Sequence, residues 1–86
     1  MDTAHLIRMA NRIGDFFAAM PERDEALAGI ADHIKKFWDP RMRRALLAAV
    51  EGGGAPDLHE IVRAALARHQ GVLGGPVEAG GRADGQ

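Results

Sequence analysis

Apolar residues in this chain recur every three or four positions, and the recurrence is interrupted only by proline or glycine. Spacing of three and four puts side chains on one face of an α-helix, whereas a half-buried strand needs alternation. In the first segment, from about Asp2 or Thr3 to Met20, the stripe is Leu6, Met9, Ala10, Ile13, Phe16, Phe17 and Met20. Arg8, Arg12 and Asp15 fall elsewhere on that wheel, facing water or a partner. Gly14 costs such a helix about 1 kcal/mol relative to alanine. It is either tolerated or marks the close approach of a second helix. Pro21 stops the segment, because proline lacks an amide donor and clashes with the preceding turn.

The polar joint Pro21-Glu-Arg-Asp-Glu25 opens the second helix, with acids where the helix dipole is positive. Its stripe is Leu27, Ile30, Ala31, Ile34 and Phe37, and Lys35 and Lys36 occupy the last turn. Trp38-Asp-Pro40 then breaks the chain, with Asp39 suited to cap a third helix and Pro40 to its first position. That helix, with Met42, Ala45, Leu46, Ala49 and Val50 as its stripe, ends near Val50 before Gly52-Gly-Gly54. Asp57-Leu-His-Glu60 has capping-box spacing. A fourth helix is predicted from there to about His69, with Leu58, Ile61, Val62, Ala65 and Leu66 on one face. No strand pattern competes. The fold class predicted is all-α: a small bundle of four helices, two longer and two shorter, over residues 1–70. Six of the last 16 residues are glycine, so residues 71–86 are predicted to be a disordered, flexible Gly-rich tail.

An 86-residue chain with 47% hydrophobic content supports one domain with a thin core, since alanine supplies much of that content and only 5% is aromatic. Stability of about 5 kcal/mol is the expectation for such a domain. The chain has no cysteine, so disulfides and thiolate ligation of zinc or iron–sulfur clusters by this chain are excluded. The first residues lack the basic region and apolar run of a signal peptide, and no apolar run approaches the ~18 residues that span a bilayer. Cytoplasmic localisation with no membrane partner is the resulting expectation. A net charge of -1 gives no global attraction to nucleic acid.

Catalytic chemistry has little to work with. There is no serine and no tyrosine, and Thr3 is the lone threonine, so a serine triad is impossible. His5, His33, His59 and His69 lack a second histidine or a carboxylate at metal-ligand spacing. Gly52-Gly-Gly54 lacks the lysine and the strand context of a phosphate loop. The expectation is no catalytic, cofactor-binding or metal site, with acids that cap helices and solvated histidines.

The segment Lys35-Lys-Phe-Trp-Asp-Pro-Arg-Met-Arg-Arg44 stands apart. It concentrates Lys35, Lys36, Arg41, Arg43 and Arg44 from the chain's eleven cations, together with its single tryptophan. Tryptophan and arginine are enriched at the energetic centres of interfaces. Trp38 can equally close the core at the helix–helix corner. For the arginines an interaction role is favoured over a solvated face. Candidate partner-binding residues are therefore Lys35, Phe37, Trp38, Arg41, Arg43 and Arg44. A small nucleic-acid-binding module using the same basic corner is the alternative, weighed down by the near-neutral charge and by the lack of a glycine-punctuated helix-turn-helix.

Leu6-Ile-Arg-Met-Ala-Asn-Arg-Ile-Gly-Asp-Phe-Phe17 and Ile30-Ala-Asp-His-Ile-Lys-Lys-Phe-Trp-Asp-Pro-Arg-Met-Arg-Arg44 resemble the delta subunit of NAD-dependent, molybdenum- or tungsten-containing formate dehydrogenases. The likeness covers roughly residues 4 to 69, with Ile61-Val-Arg-Ala-Ala-Leu66 as its closing helix, and does not extend past Gly71. The resemblance implies a cytoplasmic complex that oxidises formate to carbon dioxide and reduces NAD. In it an alpha subunit holds the molybdopterin metal centre and Fe–S clusters, a beta subunit FMN and the NAD site, and a gamma subunit a further cluster. It implies that the delta chain binds no cofactor and supports assembly, cofactor insertion or stability of the complex, either as a permanent subunit or as a transient assembly factor. Its partner would be the large alpha subunit.

Overall fold

A computed structural model describes residues 2–73. Helix α1 runs Thr3–Ala18, α2 Arg23–Phe37, α3 Pro40–Glu51 and α4 Glu60–Arg68, followed by the single turn α5, Gln70–Leu73. The described residues contain no strand. Helices α1 and α2 pack on each other and each packs on α4, while α3 packs on α1 and α5 on α2 and α4.

The predicted stops are those used. Asp2 caps α1 by accepting from the Ala4 amide at 3.1 Å. Asp39 caps α3 by accepting from Met42 at 3.0 Å, with Pro40 in the first turn. At the end of α3, Gly53 adopts φ +76°, and the amides of Gly53 and Gly54 donate to Val50 and Ala49 at 3.2 and 2.7 Å. That is a Schellman closure, and it needs a left-handed residue that glycine supplies without strain.

The core is assembled from Leu6 and Ala10 of α1, Leu27, Ile30 and Ile34 of α2, Leu46 of α3, Val62 and Leu66 of α4, and Trp38 at the α2–α3 corner. Gly14 is buried where α1 crosses α4: a Cβ there would lie 2.7 Å from Val62 Cγ2. Close approach of a second helix is thus the correct reading of that glycine.

Three expectations need correction. Phe16 and Phe37 sit in predicted core stripes, yet they are 72% and 71% exposed; three-to-four spacing fixes a direction on the wheel, but among the described residues no neighbouring helix covers that sector. The capping box at Asp57 does not form. Residues 55–59 are instead a loop, and α4 starts at Glu60, capped by His59 Nδ1, which accepts from Ile61 at 3.3 Å. Asn11 of α1 holds this loop, donating to the Asp57 carbonyl at 3.0 Å and accepting from the His59 amide at 2.7 Å. Arg63 donates to the Ala55 carbonyl at 2.6 Å. Finally, helical structure continues past residue 70, and Leu73 is buried against the bundle. The remainder of the predicted tail, residues 74–86, lies outside the described residues.

Candidate interaction surface

The α2–α3 corner brings the six candidate residues together and divides them by role. Helix α2 ends when Trp38 leaves helical geometry, at φ -100° and ψ 137°, its amide still donating to Ile34 at 2.9 Å. The indole then turns inward and is only 4% exposed. Trp38 closes the core, so it offers no free face to a partner.

Arg43 is also structural. It reaches back from α3 and donates through Nη1 to the carbonyls of Trp38 at 2.8 Å and Lys35 at 3.2 Å. A cation on the orphan carbonyls of a helix C-terminus is favoured by both hydrogen bonding and the dipole. Its Nε is buried without a hydrogen-bond partner among the described residues.

The other four face outward. Lys35, Arg41 and Arg44 are exposed, and no described carboxylate lies within ion-pair distance of them. Arg41 and Arg44 share a face of α3 through their spacing of three. Three other cations are paired: Lys36 with Asp32 at 3.2 Å, Arg23 with Glu60 at 2.6 Å and Arg68 with Asp24 at 3.1 Å. The hydrogen bond from Arg23 holds the Glu60 carboxyl below its ordinary value of 4.5 and raises the guanidinium. Phe37 stacks on His33 with ring centroids 4.7 Å apart.

His33 also lines a shallow, mainly apolar groove of about 460 Å³ with Arg12, Ile13, Phe16 and Phe17. Phe16 and Phe17 meet edge to face at 5.1 Å. Phe17 rests on Gly29, where a Cβ would lie 2.5 Å from its ring. Sequence spacing gave no hint of this groove, because Phe16 reads as a core residue by its period. A usable signal was present in Gly29, a helical glycine at the level of an aromatic pair.

Of the histidines, His59 is the one with a defined task. It caps α4 and places Nε2 3.4 Å from Asp15 Oδ1. No group of three potential metal-ligating side chains converges among the described residues, and no described helix is long and apolar enough to cross a membrane.

The family model described as NADH-dependent formate dehydrogenase delta subunit FdsD matches residues 5–66. That stretch runs from α1 into α4 and contains the corner, the groove and the Gly14 crossing. No curated protein and no solved structure shows significant similarity to the chain.

Proposed function

The chain belongs to the FdsD family of NADH-dependent formate dehydrogenase delta subunits, and on that premise we propose that it is a non-catalytic accessory subunit that docks on the large alpha subunit of a cytoplasmic complex. In this reading it binds no cofactor. The molybdopterin metal centre, the Fe–S clusters and the FMN belong to partner subunits, and this chain supports their assembly, insertion or stability. The absence of cysteine, serine and tyrosine from the sequence supports a supporting rather than a chemical role.

The observation that carries the docking reading is the set of outward cations Lys35, Arg41 and Arg44, unpaired among the described residues and within the family-matched stretch. A single-sign cluster steers a small protein onto an acidic surface and sets its register there. Trp38 and Arg43 act behind that surface by fixing the angle between α2 and α3.

Co-expression with the other subunits tests the reading. The tagged chain should retain the large subunit through purification at moderate salt, in a fixed stoichiometry if it is a permanent subunit. Arg41→Glu with Arg44→Glu should release it while the helical circular dichroism is unchanged. Failure of the wild-type chain to travel with the large subunit refutes the proposal.

A further inference from the structure

Among the described residues, Phe16 and Phe37 are the large apolar side chains left exposed, at 72% and 71%, and both lie on one side of the α1–α2 pair. His33 joins them, lining the groove with Phe16 and stacking on Phe37. A monomer gains nothing from two phenylalanines held in water, and contiguous exposed apolar surface marks a site of association. The floor is preformed, since Phe17 seats on Gly29, where any side chain would displace it.

The rim gives the chemistry of the occupant. Arg8, Arg12 and Phe16 follow at intervals of four and so form one row along α1, and Arg12 lines the groove itself. No described carboxylate is within ion-pair distance of Arg8 or Arg12. Asp15, the carboxylate nearest Arg12 in sequence, is directed to His59, and Asp2 caps the start of α1. We propose that the α1–α2 groove receives an acidic amphipathic segment of the partner subunit, its apolar side chains on Phe16, Phe17 and Phe37 and its carboxylates on Arg8 and Arg12. This rests on the docking reading above and adds a second contact surface to it, with Phe37 of α2 lying between the groove and the cationic corner. A second copy of this chain fits poorly. Two-fold pairing sets a face against itself, and would oppose Arg8 and Arg12 to their own equivalents.

Equilibrium binding of the full chain to the purified large subunit tests the inference. Because both rings are exposed, Phe16→Ser with Phe37→Ser should leave the melting curve intact and weaken binding about 100-fold. Arg8→Glu with Arg12→Glu should weaken it about 10-fold, the loss shrinking as salt rises. If the wild-type chain binds and the phenylalanine pair binds within about twofold of it, the groove is overturned while the docking reading stands. Unchanged binding by the arginine pair overturns the acidic occupant. Should the double serine variant lose helicity, Phe16→Ser alone gives the same decision. Concentration-dependent self-association abolished by the phenylalanine pair assigns the groove to a second copy and refutes the proposal. Absence of binding by the wild-type chain removes both readings together.

Discussion

Replacing Gly14 by alanine interrogates the α1–α4 crossing. Alanine is favoured over glycine within a helix by about 1 kcal/mol, so propensity alone predicts a gain. The new methyl would lie 2.7 Å from Val62 Cγ2 and 3.3 Å from both His59 Cγ and Ile61 Cγ2. Val62 is fully buried, and a β-branched side chain in a helix has essentially one rotamer, so it cannot swing aside. Overpacking of this kind costs about 1–3 kcal/mol, and here the cost exceeds the gain, leaving a net loss of about 1 kcal/mol. In a domain of this size that lowers the melting temperature by about 4–8 °C. Gly29→Ala provides the contrast. Its methyl would meet the Phe17 ring at 2.5 Å, but that ring is only half-buried and can rotate outward, so Gly29→Ala should be the milder change. Thermal melts followed by circular dichroism measure both. A Gly14→Ala protein melting at or above wild type would show that α1 and α4 do not approach as described.

Two further outcomes follow from the fold. Leu73→Ala should destabilise the protein by about 2–3 kcal/mol in urea titrations, because Leu73 is 1% exposed at the foot of α2 and α4; an unchanged midpoint would mean the chain is already a free tail there. Glu60 should titrate below 4.5 because Arg23 hydrogen-bonds its charged form, so the Arg23–Glu60 bridge is intact above the unfolded carboxylate value and its contribution is lost as pH falls through the folded one. An NMR titration should show Arg23→Gln moving Glu60 back toward 4.5.

The helices and their stops were legible because each depends on neighbours in sequence. Pro21, Asp39-Pro40 and Gly52–Gly54 act within a turn or two of their own positions. What could not be read depends on residues far along the chain. Asp57 and Glu60 have capping-box spacing, but Asn11, more than forty residues away, captures that loop and hands the cap to His59. Phe16 and Phe37 keep the helical period although no described residue lies over them. Leu73 hides in glycine-rich sequence because one anchoring side chain makes no periodic pattern. For the candidate surface, composition located the corner but could not separate Trp38 and Arg43, which hold it together, from Lys35, Arg41 and Arg44, which face outward.

Asn11 also bears on when this protein can become itself. Its two hydrogen bonds reach Asp57 and His59, and the Gly14 crossing waits for Val62. Helix α1 can pack on α2 and α3 earlier in synthesis, but its ties to residues 57–62 form only once that stretch has been made. Contacts of such high sequence separation close last, because the loop-closure entropy they must overcome is the largest.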